Sequence, residues 1–189
     1  MRRIAVLFSG SGSTLQNLID ATRDGRLPDH EVVRAVSSRR GVGGIGRCRA
    51  VGVPCRVVAK ADHATADAHS AAVLEAVGEA DLICLAGWMN RLVLPDRWLG
   101  GKVLNVHPSL LPAFGGRGMY GRHVHAAVLA RGCKLTGCTV HAVDNEIDGG
   151  PILAQRAVPV LEGDTPDTLA DRVQQAEREL YPQAIRELP

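Results

Sequence analysis

The sequence predicts an α/β fold, a Rossmann-like and mostly parallel twisted sheet with helices on both faces and antiparallel additions in the C-terminal half. Three observations support it. Continuous apolar runs, such as residues 4–8 and the interior of the predicted strand 81–87, are typical of strands buried on both faces. These runs alternate with segments of helical spacing, which favours parallel strands joined by helices. Two β-rich segments near the C-terminus are joined by a short polar stretch, which indicates an antiparallel pair.

In the first half, each apolar run is followed by a segment of helical character. Leu15, Leu18 and Ile19 give a helical spacing after the glycine loop at 9–14. A glycine-rich stretch leads into a second helix, and an alanine-rich stretch predicts a third. We expect strands at residues 4–8, 32–37, 55–59 and 81–87, and helices from residue 15, around 45–51 and over 64–77.

The second half is predicted to be mixed rather than purely parallel. A helix begins at Thr165-Pro166, because proline is favoured in the first turn. Its apolar stripe consists of Leu169, Val173, Ala176, Leu180 and Ala184. We expect strands at 102–107, 135–143 and 152–160, a turn-rich loop at 115–121 and a helix at 123–130.

Composition limits the classes of function. A chain of 189 residues predicts a single domain, 1–189. The formal charge of +2 and 3% aromatic content give no reason to expect nucleic acid as a partner. The apolar run at 4–8 is too short for a signal peptide, and no run could span a membrane. Five cysteines without a CxxC favour free thiols in a reducing cytoplasm.

The glycine loop at residues 9–14 lies between a predicted strand and a predicted helix. Small residues there let backbone N–H groups at the helix N-terminus face an anion, usually phosphate. Leu15 stands where a dinucleotide fingerprint would need glycine. The alternatives are a tight turn with serine or threonine as N-cap, and an NADP site in which Arg39 and Arg40 hold the 2′-phosphate. Those arginines also suit a solvated turn.

A polar pair stands at the end of the predicted strand 102–107. Asn105 and His107 are two residues apart, so both point to one side of the strand, and prolines end the strand just after them. Histidine can exchange a proton near neutral pH, and an amide can stabilise an oxyanion. Asp148 is the best candidate for a carboxylate partner, with Asp144 the competitor; a core histidine is the alternative. No recognised metal or GxSxG pattern is present.

Two further features carry alternative interpretations. The Trp88-Met89 loop at a strand tip is either a wall for a flat ligand or a cover packed over the sheet edge. Glu177 lies at the edge of the last apolar stripe. It either takes part in a site or reaches solvent with only its stem on the core.

Taken together, these motifs resemble the folate-dependent formyltransferases. The resemblance is carried by LNVHPSLLP at 104–112, TVH at 139–141 and DGGPI at 148–152. The glycine loop with LQNL at 15–18, LAGWM at 85–89, and RVQ through Glu177 to YP at 172–182 fit as well. The match runs from residue 2 to about 187, and the joint occurrence of the motifs is highly specific.

The resemblance implies formyl transfer from 10-formyltetrahydrofolate to the amine of glycinamide ribonucleotide, a reaction of purine biosynthesis, without a metal. It implies a catalytic group, in which Asp148 keeps the His107 imidazole charged while Asn105 and His107 stabilise the tetrahedral adduct. Residues 1–100 would form the phosphate-binding half and 101–189 the catalytic and folate-binding half. The implied phosphoribosyl contacts are Gly10, Ser11, Gly12, Ser13, Thr14, Pro108 and Glu177, and the implied folate contacts are Met89, Asn90, Arg91, Leu92, Asn105, Val143 and Asp144.

The sequence departs from the family pattern at a few places. Ala66 occupies a position where a basic residue often contacts folate, and the segments 88–95 and 114–122 are longer than in some members. Methionyl-tRNA formyltransferases, formyltetrahydrofolate hydrolases and sugar-nucleotide formyltransferases carry added domains, so we expect none of these activities. A non-catalytic NADP-binding module is the rival from another class. The sequence leaves open whether the chain forms a homodimer.

Overall fold

The computed structural model describes all residues, 1–189, and its seven strands lie in the order β3-β2-β1-β4-β5-β6-β7. The predicted fold class, a mostly parallel sheet with antiparallel strands near the C-terminus, is confirmed. The strands are β1 (Arg2–Phe8), β2 (His30–Ser37), β3 (Cys55–Val57), β4 (Leu82–Ala86), β5 (Val103–His107), β6 (Leu135–Ala142) and β7 (Ile152–Pro159). The helices are α1 (Ser13–Arg23), α2 (Gly43–Val51), α3 (Ala66–Val77), α4 (Arg122–Ala130) and α5 (Pro166–Arg186).

The chain divides into two compact units, Met1–Leu104 and Asn105–Pro189. In the first unit, β1 pairs in parallel with both β2 and β4, and β2 pairs in parallel with β3. Residues 4–8 of β1 are completely buried, as expected for a central strand covered on both faces. The carboxyl ends of these parallel strands carry the loops in which a ligand is expected.

In the second unit, β6 and β7 form an antiparallel ladder in which Leu135 lies opposite Pro159. Helix α5 begins with a capping box in which the side chains and backbone of Thr165 and Thr168 bond reciprocally. The whole predicted apolar stripe of α5 is buried, so this helix supplies much of the unit's core.

The element boundaries differ little from the sequence predictions. The third strand ends at Val57 rather than residue 59, because a 3₁₀ turn begins at Lys60. A second 3₁₀ turn, Asp96–Trp98, has no periodic pattern in the sequence and was not predicted. Three of the five free cysteines are buried, while Cys55 and Cys133 are half-buried. None of the helices is long and apolar enough to cross a membrane.

Candidate active site

The phosphate loop (residues 9–14) joins β1 to α1. Gly12 is the N-cap of α1, with φ 74° in the left-handed region and no side-chain hydrogen bond to the helix. The alternative with serine or threonine as N-cap is therefore wrong. The first N–H groups of the helix, from Ser13 to Leu15, have no acceptor within it. This helix end offers its backbone donors and its positive dipole to an anion.

Helix α2 packs directly against this loop. A Cβ atom added to Gly12 would lie 2.6 Å from the Cα of Gly44, and one added to Gly44 would lie 2.3 Å from the ring of Phe8. The Gly44 N–H donates to the Gly10 carbonyl at 3.2 Å. The glycines thus allow a close backbone approach that fixes the loop.

The arginine pair that suited an NADP site lies on an exposed turn. Arg40 forms an ion pair with Asp62, with a guanidinium nitrogen at hydrogen-bond distance from each carboxylate oxygen. Its guanidinium is therefore committed to a carboxylate, and the interpretation as a solvated turn fits the structure better.

The segment from Trp88 to Leu92 follows β4 and is tied to the end of β1. The Met89 N–H donates to the Ser9 Oγ at 3.0 Å, and Ser9 and Ser38 share a hydroxyl hydrogen bond of 2.6 Å. The Trp88 ring stacks on His69, with a centroid distance of 5.7 Å and parallel planes. Met89, in contrast, is 46% exposed. Trp88 therefore covers part of the protein, as one of the two interpretations expected, while the role of Met89 as a wall for a ligand stays a prediction.

The other predicted folate contacts in this segment differ in exposure. Leu92 is buried, Asn90 is half-buried and Arg91 is exposed. The Asn90 Nδ2 and the Trp88 Nε1 are buried donors without an acceptor. Unpartnered buried donors are rare in proteins, and a ligand acceptor is one way to satisfy them.

In the second unit, the Asn105 amide is oriented by His141. The Asn105 Nδ2 lies 3.1 Å from the His141 Nε2, and the His141 Nδ1 lies 3.0 Å from the Ala142 carbonyl oxygen. Because a carbonyl only accepts, Nδ1 carries the hydrogen and Nε2 accepts from the amide. Burial lowers the pKa of His141, which favours this neutral form. One N–H of Asn105 is thereby used, and the second is left for a ligand.

His107 is held between a backbone carbonyl and a carboxylate. It is 4% exposed. Its Nε2 donates to the Phe114 carbonyl at 2.8 Å, and its Nδ1 lies 3.6 Å from an oxygen of Asp148. The same Asp148 oxygen accepts the Gly116 N–H at 2.8 Å. The 3.6 Å gap exceeds a hydrogen bond, so Nδ1 faces the carboxylate without being bonded to it and stays open to a third group.

The structure distinguishes the two candidate carboxylates. Asp148, at φ 55°, lies 3.6 Å from His107 and 3.8 Å from the His141 Nε2. Asp144 instead accepts the Glu146 N–H at 2.8 Å, which shapes the loop. The other predicted contacts here, Val143 and Pro108, are half-buried.

Glu177 on α5 is half-buried. Burial raises the pKa of its carboxyl group from an ordinary value of 4.5 to about 7, while Arg178 opposes the shift. A carboxyl pKa raised by burial favours a place in a site over a carboxylate that simply reaches solvent.

Sequence reasoning quoted His141 as part of a motif but gave it no role. The hydrogen bonds that fix the turn at residues 109–112 were not predicted either. Thr139 donates to the Ser109 carbonyl at 2.7 Å and accepts the Leu111 N–H at 3.0 Å, and Gln155 donates to the Leu111 carbonyl at 2.9 Å. Alternation along β6 places Thr139 and His141 on one face, and this signal could have found both. No group of three or more His, Cys, Asp or Glu side chains is arranged to hold a metal.

Comparisons with known proteins agree with these motifs. Residues 2–185 match the formyl transferase family. The bovine (Bos taurus) trifunctional purine biosynthetic protein adenosine-3 is 42% identical over 97% of this chain, which spans 18% of that protein. The chloroplastic phosphoribosylglycinamide formyltransferase of Arabidopsis thaliana is 38% identical over 97% of this chain and 64% of its own length. The chain thus spans less than two thirds of these curated relatives.

Solved structures are similar over nearly the whole chain. Glycinamide ribonucleotide transformylase 1 from Symbiobacterium toebii has a TM-score of 0.89 at 43% identity and covers 98% of this chain and 86% of its own. Phosphoribosylglycinamide formyltransferase from Brucella melitensis has a TM-score of 0.85 at 43% identity, covering 98% and 94%.

Proposed function

Because the chain belongs to the formyl transferase family, we propose that it transfers the formyl group of 10-formyltetrahydrofolate to the amine of glycinamide ribonucleotide in purine biosynthesis. The observation that carries the proposal is the group formed by Asn105, His107, His141 and Asp148. It combines a free amide donor with an imidazole beside a carboxylate. Those are the groups required by acyl transfer through a tetrahedral adduct.

The chemistry assigns each of these residues a part. The substrate amine attacks the formyl carbon, and the carbonyl oxygen becomes an oxyanion. The second N–H of Asn105 donates to it, while His141 holds the amide in that orientation. His107, which lies beside Asp148, donates to the same oxygen from Nδ1. The attacking amine loses a proton. The oxyanion then re-forms the carbonyl as the bond from the formyl carbon to N10 of the folate breaks, and N10 gains a proton.

The substrates are assigned to the remaining residues. The phosphate of glycinamide ribonucleotide is bound by the free backbone donors of the phosphate loop, and Pro108 and the desolvated carboxyl of Glu177 contact its ribose or glycinamide end. The pterin is bound by the exposed Met89 and the segments 89–92 and 143–148. The NADP-binding alternative is weakened by Arg40, whose guanidinium is paired with Asp62.

The test is turnover of glycinamide ribonucleotide with 10-formyltetrahydrofolate by the purified, folded protein, following formation of tetrahydrofolate. Glycine, NADP and a sugar-nucleotide amine serve as control ligands. With 10-formyltetrahydrofolate present, we expect turnover when glycinamide ribonucleotide is added and none when any of the control ligands replaces it. Folded protein that shows no transfer, or that binds NADP tightly, would contradict the proposal.

A further inference from the structure

Helix α2 binds two successive backbone carbonyls of the phosphate loop. The Gly44 N–H donates to the Gly10 carbonyl at 3.2 Å, and the Arg47 Nε donates to the Ser11 carbonyl at 2.9 Å. Residues 44 and 47 are three apart, so they share one face of the helix. Both carbonyls of the loop therefore point toward α2.

The N–H groups of the same two peptide units point away from α2. In a planar trans peptide, the C=O and the N–H are directed oppositely. The N–H groups of Ser11 and Gly12 are thus turned to the side away from α2, and neither has an acceptor in the protein. Turned N–H groups just ahead of a helix N-terminus form an anion-binding concavity.

The two contacts from α2 differ in what they depend on. The bond from Gly44 is made by backbone, but the Ser11 carbonyl is held by a single side chain, that of Arg47. A charged donor makes a stronger hydrogen bond than a neutral one. Ser11 is exposed, so without Arg47 its carbonyl would be free to rotate toward a bound anion and oppose it.

We propose that Arg47 is a positioning residue of the phosphate site. It holds the Ser11 carbonyl so that the Gly12 N–H is directed at a phosphate monoester, and it thereby raises the preference for the phosphorylated substrate. The inference rests on the proposed function for the identity of that substrate. The contact itself concerns any phosphate monoester at the loop.

The experiment compares Arg47→Met with Arg49→Met, which makes the same change at another exposed position of α2. Calorimetry with ribose 5-phosphate measures the phosphate site without turnover. We expect binding to weaken about tenfold in Arg47→Met and to stay unchanged in Arg49→Met. Arg47→Lys should recover part of the affinity, because its ammonium can still donate to the Ser11 carbonyl.

Two more readouts separate positioning from general damage. The amide NMR shift of Gly12 induced by ribose 5-phosphate should shrink in Arg47→Met. The KM for glycinamide ribonucleotide should rise while kcat at saturation is kept. Equal affinities of the two methionine variants, or no ribose 5-phosphate binding by the unchanged protein, would overturn the inference. Phosphate binding that depends on Arg47 without formyl transfer would support it and sink the proposed function instead.

Discussion

The proposed phosphate loop and the proposed catalytic group are built from different materials. The loop offers backbone N–H groups, and these are fixed by the close approach of Gly12 to Gly44. The catalytic group offers side chains, which are fixed by hydrogen bonds such as that from Asn105 to His141. The backbone donors should therefore be sensitive to added side-chain volume at the glycines. The side-chain donors should be sensitive to a change of functional group, even when the volume of the side chain is kept.

The largest effect is expected from Asp148→Asn, which keeps the shape and removes the charge. Without the carboxylate, His107 loses its negatively charged neighbour at 3.6 Å, so kcat should fall about 10²- to 10⁴-fold. The control is Asp171→Asn at an exposed position of α5. Steady-state kinetics measures both, and a thermal melt verifies folding. Near-normal kcat in Asp148→Asn would remove this residue from its role.

Gly12→Ala tests the backbone donors of the phosphate loop, because it adds one methyl group and changes no charge. The added Cβ meets the Gly44 Cα at 2.6 Å, and φ is 74°. The loop must shift, so the KM for glycinamide ribonucleotide should rise about 10- to 100-fold. Gly46→Ala is the matched control, since nothing lies within 4 Å of its added Cβ. If both variants show the same KM, the steric account of the loop fails.

His141→Phe removes only the acceptor that orients Asn105 and keeps an aromatic ring. The amide is then free to rotate, and kcat should fall about tenfold, less than the loss of an oxyanion donor itself. In an Asn105→Ala background the same change should cost little, because the group to be oriented is gone. Additive losses in this double-mutant cycle would show that His141 acts otherwise.

The change Glu177→Gln is expected to affect stability rather than activity. The pKa of Glu177 is raised by burial to about 7 from 4.5, so the folded state keeps its proton while the unfolded state ionises. This stabilising contribution is complete below pH 4.5 and is lost as pH rises through 7. At pH 8 the glutamine variant should be more stable by on the order of 2 kcal/mol.

The measurement is the difference in Tm between Glu177→Gln and the unchanged protein from pH 4 to pH 8. It should grow over that range to about 4–8 °C. The exposed Glu162, changed to glutamine, should show no such trend. A difference in Tm that is independent of pH would contradict the desolvated carboxyl group.

Local patterns predicted the fold well, because apolar periodicity reports directly on burial. The strand that carries Asn105 and His107, and the stripe of α5, follow from residues close in sequence. The sequence left a serine or threonine N-cap open as an alternative, because these residues surround Gly12. The left-handed backbone of Gly12 and the close approach of α2 explain why glycine is there instead.

The missing parts of the site are contacts between residues far apart in sequence. His141 meets Asn105 across 36 positions and Arg47 meets Ser11 across 36 positions, so no local pattern encodes either pair. Desolvation at Glu177 likewise depends on what packs around the helix. Such features need the tertiary structure.

The stacking of Trp88 on His69 has an optical consequence. The chain contains two tryptophans, and the other, Trp98, is buried in a 3₁₀ turn. Indole emission is sensitive to an adjoining ring and to the polarity around it. Because Trp88 adjoins the exposed Met89, a pterin bound there would change the emission of one of two fluorophores. Under the proposed function, the emission of Trp88 would report folate binding without an attached dye.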